Sequence, residues 1–243
     1  MRAAFTWALL LMLAACAARA AVPASGAAEH AAASGDYRTA AQNYEQVLAA
    51  RGFSAPVLFN LGNAWLRLGQ PARAILEYER ALVLAPGSAA IAANLAAAQQ
   101  RAGLTPAVVG PWVAAVRNFS FDTYAWTGLA SIWVLCAGVI LLYVNGVARR
   151  FARLLILVAA VTLCVTADAA ALCWSDLYRA VVQEPTALHL APAASAAASG
   201  NLREGEVVWI QDKFGGFELV RTADGHSGWV NDSAAVPIRV SHP

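Results

Sequence analysis

Two long apolar stretches constrain this chain more than any other feature. From Thr123 to Ala148 there is no charged residue, and Ala125 to Val144 is a run of spanning length. The chain is apolar again from Leu154 to Ser175, broken only by Asp168, and Arg149, Arg150 and Arg153 cluster between the two stretches. At 1.5 Å of rise per residue each stretch covers the roughly 30 Å hydrocarbon core of a bilayer. The expectation is a transmembrane hairpin over residues 123–175, with spans at about 123–145 and 154–175. The arginine cluster puts the Arg149–Arg153 loop in the cytoplasm by the positive-inside rule, so the parts before and after the hairpin share the far side. Composition agrees: the chain is 59% hydrophobic and 13% charged, against about a quarter charged for soluble domains, which excludes disorder and an all-soluble chain. A net charge of +2 gives no electrostatic reason to expect nucleic acid.

The N-terminus reads as an export signal over residues 1–20. Arg2 precedes an apolar run from Ala3 to Ala15, which is too short for a resident span. Two processing routes remain open: signal-peptidase cleavage after Ala18-Arg19-Ala20, or lipidation at Cys16 within Leu13-Ala14-Ala15-Cys16. Either exports the segment that follows, which agrees independently with the topology drawn from the arginines.

Cys136, Cys164 and Cys173 all fall in the apolar runs, leaving no cysteine for a disulfide scaffold outside the membrane. Cys164 and Cys173 are nine residues apart, about 180° around a helix at ~100° per residue, so they read as packing residues rather than metal ligands. Asp168 is an acid within a span, a functional candidate in principle. Its position six residues before Trp174, roughly 9 Å from the interface, favours a packing or helix-association role. Folding the hairpin about its loop sets Asp168 level with Ala130, near Thr127 and Ser131.

The segment before the hairpin repeats. Gly35, Ala40 and Tyr44 recur 34 residues later as Gly69, Ala74 and Tyr78; Asn60, Leu61 and Gly69 recur as Asn94, Leu95 and Gly103. The best-formed copy, Ala55 to Ser88, resembles a tetratricopeptide (TPR) repeat through Leu61-Gly62, Trp65, Gly69, Ala74, Tyr78, Ala81 and Pro86. Gly62 and Ala81 are small where two antiparallel helices must approach, and Trp65 and Tyr78 fill the space between them. The expected domain spans residues 21–104, two repeats plus a capping helix over Ala89 to Ala102. The resemblance implies a protein-binding groove lined by Phe59, Asn63, Leu66, Arg67, Asn94 and Arg101. The paired lysines of the chaperone-type carboxylate clamp have no counterpart, which argues against capture of a C-terminal carboxylate in that manner. Residues 105–122, with Pro106, Gly110, Pro111, Trp112, Phe119 and Phe121, read as a linker at a membrane surface.

After Asp176 the chain changes to short β-prone runs: Ala180–Val182, Ala187–Leu190, Glu206–Gln211, Gly216–Thr222, Gly228–Val230 and Val236–Val240. Ala191–Asn201 reads as a small-residue loop and Asp224-Gly225 as a hairpin turn. The expectation is a small all-β barrel over residues 177–243. The order resembles a bacterial SH3-like (SH3b) domain, on Ala187-Leu188-His189-Leu190-Ala191-Pro192, the Leu202-Arg203-Glu204-Gly205 diverging turn and the closing Gly228-Trp229-Val230. Phe217 stands where that family usually has tryptophan. Trp209, Phe214, Phe217 and Trp229 are candidates for an aromatic ligand surface, although Phe217 and Trp229 also read as barrel core.

No G-x-S-x-G elbow, Walker loop, H-E-x-x-H motif or dinucleotide fingerprint is present, and Gly215-Gly216 reads as a hairpin turn rather than a phosphate cradle. The expectation is a non-enzyme that uses no cofactor. His189, His226 and His242 have no metal-ligand spacing, so no metal is expected. The whole order, together with Phe119-Ser120-Phe121-Asp122-Thr123-Tyr124-Ala125-Trp126, resembles the BatE family of Bacteroides aerotolerance operons. That resemblance implies a bacterial inner-membrane scaffold with its TPR and SH3-like domains in the periplasm. It further implies protein partners, namely von Willebrand-type membrane proteins and a MoxR-type ATPase system. The alternative is a peptidoglycan- or peptide-sensing module built on the barrel.

Overall fold

The computed structural model describes residues 24–106, 110–119, 121–143 and 147–239. The expected signal and Cys16 lie outside the described residues. The first part is a run of antiparallel helices: α1 (Ala24–Ala33), α2 (Tyr37–Arg51), α3 (Ala55–Arg67), α4 (Pro71–Leu84) and α5 (Ala89–Arg101). Their starts follow capping chemistry. Asp36 accepts the Thr39 amide at 3.1 Å ahead of α2, and hydrogen bonds from the Thr39 side chain first and then from its amide hold the Asp36 carboxyl below the usual carboxylate range. Proline sits in the first turn of both α3 and α4, where its missing N–H costs nothing. The turns follow the repeat: Gly35, Gly69 and Gly103 hold φ of +82°, +73° and +70°, a left-handed conformation that glycine adopts without strain.

Successive hairpins share two apolar clusters. Ala40, Ala41, Tyr44, Leu61 and Ala64 fill one; Leu58, Ala74, Ile75, Tyr78, Ala81, Leu95 and Ala98 fill the other. The repeat's small residue is a steric requirement, because a Cβ on Gly62 would lie 2.6 Å from the Tyr78 ring.

Two helices, α7 (Phe121–Leu141) and α8 (Val147–Asp176), are long and apolar enough to cross a membrane. They pack along their length, with Gly128 facing Thr166 and Gly138 facing Ile156. That register sets Asp168 about level with Trp126, one turn from the expected Ala130. The large side chains point outward: Trp126 and Trp133 are each 71% exposed and Ile140 68%. A core helix of a soluble domain would bury them. Cys136 and Cys164 are exposed as well and Cys173 is half-buried, so Cys164 is not the packing residue expected. Arg149, Arg150 and Arg153 lie in the opening turns of α8 rather than in a loop. Arginine is a good helix former, and no glycine or proline interrupts the helix from Val147 to Asp176.

Within the expected linker is a short helix, α6 (Pro111–Arg117), packed on α8. Proline in the first turn starts it, and the run Trp112-Val113-Ala114-Ala115-Val116 has no breaker.

The C-terminal part is one antiparallel sheet of β1 (Arg179–Val182), β2 (Thr186–His189), β3 (Ala198–Leu202), β4 (Val207–Phe214), β5 (Phe217–Thr222), β6 (Ser227–Asn231) and β7 (Ala235–Pro237), in the order β3-β2-β6-β5-β4-β1-β7. Leu202 on one edge strand and Ala235 on the other share a core with Val182, Val208, Val220 and Val230, so the sheet is rolled. β3 falls in the stretch expected to be a loop. Its Ala-Ser-Gly-Asn-Leu sequence has low β-propensity, but pairing along β2 holds it and Leu202 anchors it. Gly215 and Gly216 make the reversal from β4 to β5.

The two parts join through one core. Val181 and Ile238, with Val207 and Val236 beside them, pack into the same cluster as Ile75 and Tyr78 of α4. Gly205 admits this contact, since a Cβ there would meet Ile75 at 2.6 Å. Arg80 donates to the Pro237 carbonyl at 3.0 Å, and Arg203 to the Gly103 carbonyl at 3.2 Å.

A polar groove and an aromatic sheet face

The repeat builds a groove of about 510 Å3 across α2, α3 and α5, with Ala32 of α1 at its rim. Of the six residues expected there, Asn63, Leu66, Arg67, Asn94 and Arg101 line it. Phe59 lies outside the lining and packs toward Tyr78 with ring centroids 6.0 Å apart. Tyr37, Tyr44 and Asn60 also line the groove, beyond the six residues expected there. Repeat arithmetic held the signal for two of them, because Tyr44 and Asn60 stand one repeat before Tyr78 and Asn94.

Side chains beneath the groove are fixed by hydrogen bonds. The Asn63 Oδ1 accepts from the Tyr78 hydroxyl at 2.7 Å and from Asn94 Nδ2 at 2.8 Å, which ties α3, α4 and α5 together at one atom. Burial pushes the Tyr78 phenol up to about 12, against the opposing effects of Asn94 and Arg101, so it stays a neutral donor. Tyr44 is raised too, by burial first and then by the charge of Glu29. Arg101 donates to the Leu66 carbonyl at 3.3 Å, and the Arg67 guanidinium lies 6.0 Å from the Tyr37 ring centroid. The lining therefore presents amides, phenols and two arginines, with no acid among its residues. Such a surface can hydrogen-bond an extended backbone and attract negative charge.

The aromatic candidates on the sheet occupy its outer face. Core residues Val208, Ile210, Val220 and Val230 alternate with half-buried Trp209, Leu219 and Trp229, as the two-residue period of a strand requires. Leu219 pairs with Trp229, Phe214 with Phe217 and Trp209 with Arg221, which sets these side chains on one face. Phe214 is 67% exposed. Phe217 and Trp229 are thus not the core that their apolar character suggested, because strand parity turns them away from it. A separate polar hollow of about 300 Å3 lies where Ser199, Asn201, Arg203 and Glu206 face Asp224 and His226.

A third cluster is ionic and links every part. Arg179 Nη2 lies 3.0 Å from Glu79 Oε1 of α4, and its Nε lies 3.8 Å from Asp176 Oδ1 at the end of α8. Arg117 of α6 closes on the same Asp176 with two bonds of 2.9 and 3.0 Å. Two turns along α8, Asp168 Oδ2 accepts from Trp112 Nε1 at 3.0 Å. The expected neighbours Thr127 and Ser131 instead donate to the carbonyls of Thr123 and Thr127 on their own helix. Among the described residues no group of three His, Cys, Asp or Glu side chains could hold a metal.

Comparison with known families places a tetratricopeptide repeat at residues 25–89, which covers α1 to α4 and the start of α5. No curated protein matches the chain.

Proposed function

We propose that this protein is a non-enzymatic, membrane-anchored scaffold that holds a partner protein in its repeat groove. The observation that carries the reading is the groove itself, lined by Asn63 and Asn94, bonded to each other, and by Arg67 and Arg101 on a tetratricopeptide framework. The signal-like sequence at residues 1–20, the two apolar helices and the arginines at the start of α8 support an inner-membrane hairpin with both outer parts in the periplasm. The shared core of α4 and β1 supports the same-side placement, since parts packed on each other cannot lie across a bilayer. The element order supports an SH3-like domain at the C-terminus and a role beside von Willebrand-type membrane proteins and a MoxR-type ATPase in a Bat-type envelope complex.

Photo-crosslinkers placed at Arg67 and Asn94 in intact cells should trap one protein of defined mass, while a crosslinker at the outward-facing Val83 should not. Equal trapping at Val83 would defeat the reading. A secreted-enzyme reporter should be active when fused at Pro106 and inactive when fused between the spans.

A second reading rests on the outward row of Trp209, Phe217 and Trp229, which suits stacking on cell-wall sugars or peptides. Retention of the full chain on purified sacculi, lost with Trp229→Ala but kept with Arg67→Gln, would favour it over the groove.

A further inference from the structure

The outward face of α7 carries a pattern that contact with lipid does not require. Gly128, Ser131 and Gly138 mark the side of α7 turned to α8. At ~100° per residue, Trp126, Ala130, Trp133, Ala137 and Ile140 gather within about 80° of one another on the opposite side. All five are exposed. They follow one another at steps of four, three, four and three, the heptad spacing of a helix seam, and large residues alternate with small ones.

Trp133 is the member that hydrocarbon serves worst. At 1.5 Å per residue, about 18 Å and 12 Å of helix separate it from the two ends of α7, so it stands near mid-span. Tryptophan favours the membrane boundary, where its N–H meets water or headgroups. The Trp112 indole has Asp168 as its acceptor. Among the described residues nothing accepts the Trp133 N–H, and lipid tails offer no acceptor.

A second α7 answers both features. Copies inserted with one topology lie parallel, related by a two-fold axis along the bilayer normal. Ala130 and Ala137 then form one heptad row and Trp126, Trp133 and Ile140 the other, so each Trp133 enters the hole between Ala130 and Ala137 of the second copy. Alanine at those positions lets the backbones approach and leaves carbonyls within reach of the indole N–H. An unrelated helix would need small residues at the same two depths; a second copy has them by identity.

Resting on the membrane reading above, we propose that the chain pairs with a second copy of itself through this face of α7, with Trp133 at its centre.

The test uses the full chain in its membrane, in variants with one cysteine in the hairpin and Cys136→Ser, Cys164→Ser and Cys173→Ser as background. Oxidised with copper phenanthroline, Ala130→Cys and Ala137→Cys should each give a product of twice the chain mass. Ile132→Cys and Val139→Cys, exposed on the flank of α7, should give no more than the cysteine-free background. Trp133→Phe keeps a ring but lacks the N–H, and should weaken association of labelled copies in liposomes by about fivefold, read by energy transfer on dilution with lipid. Equal crosslinking at all four positions, or at none, would overturn the pairing and assign the face to lipid. A product of another mass through positions 130 and 137 would overturn it in favour of a different protein. Release of the chain by alkaline carbonate would defeat the membrane reading, and the pairing with it.

Discussion

Arg179 of β1 and Glu79 of α4 form an ion pair of 3.0 Å with both side chains nearly buried, at the seam between helical repeat and sheet. The pair draws its strength from its surroundings, since two charges removed from water are stable only while each satisfies the other. The Arg179 Nε has no hydrogen-bond partner among the described residues, so little slack remains. Arg179→Met alone should cost about 3–5 kcal/mol by leaving Glu79 buried and unpaired. The melting temperature should then fall by about 10 °C. Glu79→Leu with Arg179→Met together should recover most of the loss, and thermal melts of the four proteins in detergent measure the coupling.

Gly62 faces the Tyr78 ring where a Cβ would come within 2.6 Å of it. Gly62→Val should push Tyr78 off Asn63 and destabilise the repeat by about 1–3 kcal/mol. Partner crosslinking at Arg67 and Asn94 should fall with it, because Asn63 loses one of the two bonds that orient it. A variant that melts and binds as the parent does would show that the ring has room to move.

Glu77 is buried on α4 with one oxygen bonded to Arg80 at 3.1 Å and the other unpaired among the described residues. Burial pushes its carboxyl up from 4.5 to about 7, outweighing Arg80, and Glu45 adds to the rise. An acid whose folded value is raised favours the folded state fully below pH 4.5, and that stability is lost as pH climbs through 7. Glu77→Gln should melt with the parent near pH 4.5 and above it near pH 8, by an amount on the order of 3 kcal/mol. Parallel pH profiles would show that Glu77 does not carry the dependence.

Trp112 holds α6 to α8 through Asp168. A hydrogen bond to a charged group contributes about 1.5–3 kcal/mol, so Trp112→Phe should speed exchange of the helical amides of residues 114–117 by about tenfold or more. Exchange in the Gly128 and Gly138 segments of the hairpin should stay as it was.

The repeat was legible because its physics is local. Gly35, Gly69 and Gly103 mark the turns, and Gly62 and Tyr78 mark a contact, all at fixed spacing. The apolar helices were legible by length alone. What sequence did not disclose depends on neighbours distant in the chain. Trp112 and Asp168 are 56 residues apart and nothing local pairs them. β3 exists only because β2 lies beside it. Phe217 and Trp229 turn outward because Val220 and Val230 claim the inner parity, a choice that apolar character cannot make.

The shared core of α4 and β1 also bears on biogenesis. Arg80 and the Pro237 carbonyl that it bonds are 157 residues apart, and both apolar helices lie between them. A chain threaded through a membrane from its N-terminus exposes Ile75 and its neighbours well before Val181 and Ile238 arrive to cover them. On the proposed topology the helical repeat waits, with an unfinished surface, until the hairpin is inserted and the sheet has followed it across. Truncation after α8 would leave a repeat with that surface permanently open, a substrate for quality-control proteases.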